Sequence, residues 1–204
     1  KLARALSSEP LSGKTEAGNA AGAQIPRLRP FAEGLTERLW YGGGSQNSAK
    51  WAGQAGFNLL TGNIVSGENT DSFLTAQKAL IERFRQEWAH ERAPRVALGR
   101  VILPTDGASP DARRRYAEFA AERDKRTGLS HGPRRTLFLP DIVGTTEEIL
   151  EKLAVDPVLP LVSEFRLELP YEFHAEDYAQ ILTDFGRLLP ASGTRKPELS
   201  VVWA

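Results

Sequence analysis

Short apolar runs, bounded by glycine, proline or polar clusters, alternate along this chain with segments of helical period. That alternation constrains the fold more than any other feature of the sequence. Residues 39–42 read as a strand, and 48–56 suit a short helix stopped by Gly56. Phe57-Asn58-Leu59-Leu60 is a second short apolar run. From Asn69 to His90, Phe73, Leu80, Ile81, Phe84 and Trp88 share one face with charges opposite, which predicts the clearest helix. Arg95 to Leu103 carries Val96, Leu98, Val101, Ile102 and Leu103, as a buried strand does. Ser109-Pro110 then offers an N-cap with proline at the first helical position, and Tyr116 and Phe119 point inward from the helix that follows. Residues 127–141 read as a looser segment. Thr145-Thr146-Glu147-Glu148 is a capping box opening a helix with Ile149, Leu150 and Leu153. Glu164 to Leu169 is a last strand. Glu176 to Leu189 is a last helix, with Tyr178, Ile181, Leu182, Phe185 and Leu189 on its inner side.

About four strands, each followed by a helix, predict parallel βαβ units and an α/β fold. Four units could form an open doubly wound sheet or half of a closed barrel. A complete eight-unit barrel typically takes about 250 residues, and this chain has 204. The expected organisation is one domain over 1–204: a helix end and long connection at 1–37, βα units at 38–190, and a tail at 191–204. The connection, Ser7 to Gly34, is rich in Gly, Ala, Pro and Ser, as functional or mobile loops are. Lys1 to Leu6 reads as the last turns of a helix that began earlier.

Acids and bases balance at 26 each, so no net field recommends nucleic acid or an acidic membrane as partner. Cysteine is absent, which excludes disulfides, thiolate metal sites and a cysteine nucleophile from these residues, and suits a reducing cytoplasm. No apolar run approaches the roughly 18 residues of a membrane span. The first six residues are too short and too charged for a signal peptide.

The candidate site is the turn that ends the first apolar run, Trp40-Tyr41-Gly42-Gly43-Gly44-Ser45, leading through Ser48 into a helix. Glycines let backbone approach an anion, free N–H groups at a helix start point towards it, and a serine hydroxyl adds a donor. A tight βα turn without ligand has the same pattern. Gly42, Gly44 and Ser48 approximate a dinucleotide fingerprint, but that reading needs an acid about 20 residues on, at the end of the next strand. That strand ends in Thr61-Gly62-Asn63, and Glu68 lies past a further loop. A mononucleotide phosphate needs no such acid and is the better reading.

Together with Ser48-Ala49-Lys50-Trp51-Ala52, this segment resembles the bacterial-luciferase-like flavin-dependent monooxygenases. Phe57-Asn58-Leu59-Leu60-Thr61-Gly62-Asn63 resembles the strand and loop that follow in that family. Val143-Gly144-Thr145-Thr146-Glu147-Glu148-Ile149 resembles a family helix start, and Arg166-Leu167-Glu168-Leu169-Pro170-Tyr171 the last strand of one subgroup. The resemblance runs from about Leu2 to Leu189. It implies a (β/α)8 TIM barrel of which only the C-terminal half or so is present. It further implies binding of reduced FMN, supplied by a flavin reductase, or in some branches of the deazaflavin F420. The implied activity is oxidation of a small organic substrate with O2, the cofactor carrying the chemistry. Gly43, Gly44, Ser45 and Ser48 are the implied cofactor-binding residues, at the flavin phosphate. Arg100, on a strand where alkanesulfonate-oxidising members place an active-site arginine, is the implied catalytic residue. The resemblance also implies that a second copy, or a missing N-terminal half of the barrel, completes the site. A flavin-binding module without catalysis, and an F420-dependent oxidoreductase, stay open as alternatives.

An arginine inside an apolar run is costly unless paired or functional, and a salt bridge with an acid such as Asp106 would also account for Arg100. His90 and His174 sit at helix ends as exposed caps, and His131, in the looser segment, is a candidate contact to substrate or flavin. Glu68, Asp141 and Glu168 are acids near strand ends, suited to caps and ion pairs. No metal-ligand cluster is visible.

Overall fold

A computed structural model describes residues 2–13, 18 and 22–191 of the chain, with side chains through 188. Contacts divide it into two units, Lys1–Trp40 and Tyr41–Ala204. In the first, helix α1 (Leu2–Leu6) is followed by an Arg4–Glu9 ion pair at 2.7 Å and a backbone bond from Leu11 N–H to Pro26 O at 2.8 Å. A 3-10 turn, Leu35–Arg38, leads out of the long connection.

The larger unit is α/β. Strand β1 (Trp40–Gly42) begins at the boundary, and α2 (Gln46–Ala55), β2 (Asn58–Thr61), β3 (Ile64–Ser66), α3 (Phe73–Gln86) and β4 (Val96–Pro104) follow. Then come α4 (Pro110–Asp124), β5 (Thr136–Phe138), β6 (Ile142–Gly144), α5 (Thr146–Ala154), β7 (Glu164–Glu168) and α6 (Ala175–Ala191). Five strands form one sheet in the order β1-β2-β4-β6, with β7 also on β4. The pairings of β4 with β2, β6 and β7 are all parallel. Both β2 and β7 pair with Ala97 and Leu98, so they lie on opposite edges of β4. All nine residues of β4 are buried. The sheet path is open, and the described residues close no barrel.

Three strands lie outside the sequence reading. Strands β3 and β5 form a separate antiparallel pair, and β6 occupies residues read as a helix start. Each is three residues long, too short for a period of two to register. Helix α3 is shorter than the amphipathic pattern, because Ser72 caps it by accepting the Thr75 N–H. The capping box of α5 and the Ser109–Pro110 start of α4 form as the sequence predicts. Gly56 ends α2 at φ 73°, where a Cβ would be strained. The expected inward position of Leu189, and the tail beyond 191, lie outside the described residues.

Strand alternation sorts β4 and β7 into two faces. Leu98 and Phe165 pack with Ala49 and Ala52 of α2 and Leu80, Ile81 and Phe84 of α3. Ile102 and Leu167 pack with Tyr116 of α4, Ile149 of α5 and Ile181 and Phe185 of α6. Each fully buried side chain of this kind contributes about 1.5–3 kcal/mol. The opposite face carries Ala97, Gly99 and Val101 beside Glu164, Arg166 and Glu168. One face is therefore apolar and helix-covered, the other small and polar.

Arg100 is the exception on the helix-covered face. It is fully buried, and its guanidinium donates to Asp156 Oδ2 at 2.8 and 3.1 Å, to Gln77 Oε1 at 2.8 Å and to the Gly99 carbonyl at 3.1 Å. Burial pushes its pKa down and Asp156 opposes the shift, and an arginine stays charged regardless. Asp156 Oδ1 also accepts the Val158 N–H at 2.8 Å, so the pair pins the segment after α5 to β4.

Two stability outcomes follow from this packing. Asp156→Ala should cost about 3–5 kcal/mol in urea unfolding, because it strands a buried guanidinium, while Arg100→Met with Asp156→Leu should recover more than half of that loss. A loss below about 1 kcal/mol for Asp156→Ala would mean the ion pair is not what holds Arg100. Gly53 packs α2 on α3 so closely that a Cβ would lie 2.7 Å from the Phe84 carbonyl oxygen. Gly53→Ala should therefore destabilise by about 1–3 kcal/mol, although alanine is the better helix former by about 1 kcal/mol. A more stable variant would show that the helices part freely.

Candidate functional site

Because β4 runs parallel to β2, β6 and β7, the carboxyl ends of these strands gather along one edge, where open α/β sheets bind ligands. Gly43 to Ser45 follow β1, Gly62 and Asn63 follow β2, and Glu168 ends β7. Four of the five residues implied by the sequence, Gly43, Gly44, Ser45 and Ser48, are brought together at the first of these ends.

Each of those four has an internal task. The Gly43 N–H still pairs with the Leu60 carbonyl at 2.9 Å, and a Cβ there would meet Leu59 Cδ1 and Ser48 Oγ at 3.0 Å. A Cβ on Gly44 would come within 2.9 Å of the Ile64 carbonyl oxygen, so the glycine lets β3 lie against the turn. The Ser66 N–H donates to Gly44 O at 2.6 Å and fixes that approach. Ser45, not Ser48, is the N-cap of α2. Its Oγ accepts the Ser48 N–H at 3.1 Å, and Ser48 Oγ accepts the Ser45 N–H at 3.0 Å, a reciprocal box of two serines.

The next N–H of α2 has an anionic partner. Gln46 N–H donates to Glu68 Oε1 at 3.3 Å. A carboxylate is favoured at a helix N-terminus by the same dipole that favours phosphate. Glu68 was too far along the chain for a ribose contact, and its place at the start of α2 depends on a fold the local pattern does not encode.

Arg100 stands apart from this group. It lies on the helix-covered face, bound to Asp156 and Gln77, and Asp106 is not its partner. Asp106 instead accepts from Thr146 N and Oγ1 at 2.9 and 3.1 Å at the start of α5. The ion-pair account of Arg100 is the one its geometry carries.

The histidines are peripheral. His90 Nε2 meets the Gln54 carbonyl at 3.1 Å and its ring packs on Trp88. His174 is exposed at the start of α6, where its carbonyl accepts the Tyr178 N–H at 3.2 Å. His131 Nε2 lies 2.8 Å from the Arg126 carbonyl, and its ring is edge-on to Phe138. Asp141 makes the expected ion pair, with Arg123. Glu168 makes none among the described residues, and sits instead over Gly62 and Gly99. Among the described residues, no group of three histidine, cysteine or acidic side chains could hold a metal, and no helix is long and apolar enough to cross a membrane.

No protein-family model matches the chain. No curated protein matches it either. Solved structures do resemble it. One is the monooxygenase RslO1 from Streptomyces bottropensis, at 14% identity and a TM-score of 0.56, over 93% of this chain and 58% of that one. Another is MsnO8 in its apo form, at 19% identity and a TM-score of 0.54, over 96% of this chain and 58% of that one. The chain thus spans under two thirds of the length of each. At these identities the likeness is one of fold, and the fold is shared with a monooxygenase.

Proposed function

We propose that this chain is an oxidoreductase of the flavin-dependent monooxygenase kind, similar to the luciferase-like family and supplying the flavin-phosphate end of its site. The observation that carries the reading is the fold likeness to the monooxygenase RslO1 over 93% of the chain. A parallel sheet with helices on one face and small and polar residues on the other suits a segment of a (β/α)8 barrel, whose inner face lines a site. The length of chain common to both neighbours, 58% of each, suits a barrel completed by further residues or by a second copy.

The donor set at the start of α2 fits an anion, since Glu68 already places a carboxylate on its first N–H. Reduced FMN, when bound, would supply the electrons that activate O2. The residues of this chain would hold its phosphate: Gly43 and Gly44 by close backbone approach, Ser45 and Ser48 by hydroxyls at the helix start. Arg100, buried behind Asp156, would steady β4 and not touch substrate. Substrate, O2 and a flavin reductase are the partners of this reading.

Titration of the chain with FMN and with riboflavin, which lacks the phosphate, tests the assignment. Ser45→Ala should weaken FMN about tenfold and riboflavin less than about twofold. Equal losses would make the turn structural only. Glu68→Gln removes the competing carboxylate and should tighten FMN several-fold, with riboflavin unchanged; weaker FMN binding would contradict the placement of the phosphate. Oxygen consumption with a flavin reductase then separates enzyme from carrier. Flavin binding without substrate-dependent turnover would favour a non-catalytic module, and reduction of F420 but not FMN would move the chain to the deazaflavin branch.

A further inference from the structure

The end of β7 holds a charge that no cation of its own neutralises. Glu168 is the last residue of β7, level with Val101 of β4. A Cβ at Gly99 would come within 1.9 Å of Glu168 Oε1, and one at Gly62 within 2.0 Å. The carboxylate therefore lies on a backbone floor that any side chain at either glycine would disturb. The neighbouring acids are already paired, Asp141 with Arg123 at 2.5 and 3.2 Å and Asp156 with Arg100 at 2.8 and 3.1 Å. Glu168 has no ion pair of its own among the described residues, and the backbone of Asn63 helps to favour its charged form.

Asn63 is the second observation. It is 4% exposed, and its Nδ2 donates to Asp141 Oδ1 at 3.5 Å. That contact orients the amide and leaves Oδ1 buried, with no hydrogen-bond partner among the described residues. A buried acceptor left unmet is costly unless a ligand or water reaches it.

A carboxylate and an orphaned amide oxygen make two acceptors and one negative charge without an ion pair of its own, since the arginines that favour that charge, Arg100 and Arg123, are each held by another acid. Their complement is a cation with several N–H donors. We propose that Glu168 and Asn63 Oδ1 bind a primary ammonium group of a small-molecule ligand, at the carboxyl ends of β2 and β7. A divalent metal is poorly served, because no trio of metal-ligating side chains exists among the described residues. The charged groups whose fields act on Glu168 are Arg100, Arg123 and Asp141, and Arg166 shares its face of β7. Burial, the largest influence, pushes its carboxyl above the ordinary value, and a bound ammonium would draw it down again. That the ammonium belongs to a substrate rests on the oxidoreductase reading; the contact itself needs no flavin.

Amide NMR of the 204-residue chain, titrated with benzylamine and separately with benzyl alcohol, tests this in the absence of flavin. Benzylamine should shift the Gly62, Asn63 and Glu168 amides and bind at least about tenfold tighter than the alcohol. Its affinity should fall as the pH drops through the titration of Glu168, because the protonated acid no longer attracts a cation. Glu168→Gln should lose about tenfold in benzylamine affinity, and the exposed-helix control Glu82→Gln should lose nothing. If Glu168→Gln does not fold, the comparison of amine with alcohol and the pH dependence in the native chain decide the matter. Equal affinity for both probes, shifts confined elsewhere, or undiminished amine binding by Glu168→Gln would overturn the proposal. So would Mg2+ or Ca2+ producing the same shifts at lower concentration than benzylamine. A flavin titration of the same sample scores the flavin reading independently.

Discussion

The larger unit depends on one strand. β4 is buried along all nine residues and takes β2 on one edge, β7 on the other, and β6 beyond them. A parallel strand buried on both faces has to be nearly all apolar, yet this one carries a guanidinium at its centre. The charge is tolerable because Asp156 and Gln77 reach it from outside the sheet. Those two contacts tie α3 and the segment after α5 to the same point on β4. Losing Asp156 would leave a buried charge unmatched and losing Gln77 would leave a buried N–H unmet, so the helices around β4 are held by polarity as well as by apolar packing.

That arrangement separates structure from chemistry. Helices α2 to α6 take the apolar face, leaving the other face to Gly99, Arg166 and Glu168 and their neighbours. Groups suited to binding then collect where the strands end. At β1 they are backbone N–H groups at a helix start, with a carboxylate already in attendance. At β2 and β7 they are acceptors, Asn63 Oδ1 and the Glu168 carboxylate. The antiparallel pair β3–β5 joins the two ends, since Ser66 N–H holds Gly44 O and Leu139 N–H holds Asn63 O at 3.1 Å. The proposed flavin phosphate and the proposed ammonium ligand would then be held apart, at different strand ends.

Local sequence carried the helices well. Ser109–Pro110 and the Thr145–Glu148 box are complete within four residues, and they form as read. The turn at Gly43 to Ser48 was also legible as a strand-to-helix connection, but the reciprocal capping of the helix by its two serines was not. Strands β3, β5 and β6 were invisible because three residues carry no period and their partners lie far along the chain. The same distance hid the partner of Arg100. Asp156 is 56 residues away and Asp106 only six, yet the fold turns Asp106 to the start of α5. Asn63 gave no signal at all, because an unmatched oxygen is a property of the packed state.

A crystal structure of this chain with FMN tests the proposed phosphate site most directly. The phosphate is expected against Gly44, Ser45 and the first N–H of α2, with the Glu68 carboxylate displaced from Gln46. A flavin phosphate bound elsewhere, with Glu68 still on Gln46, would contradict that placement.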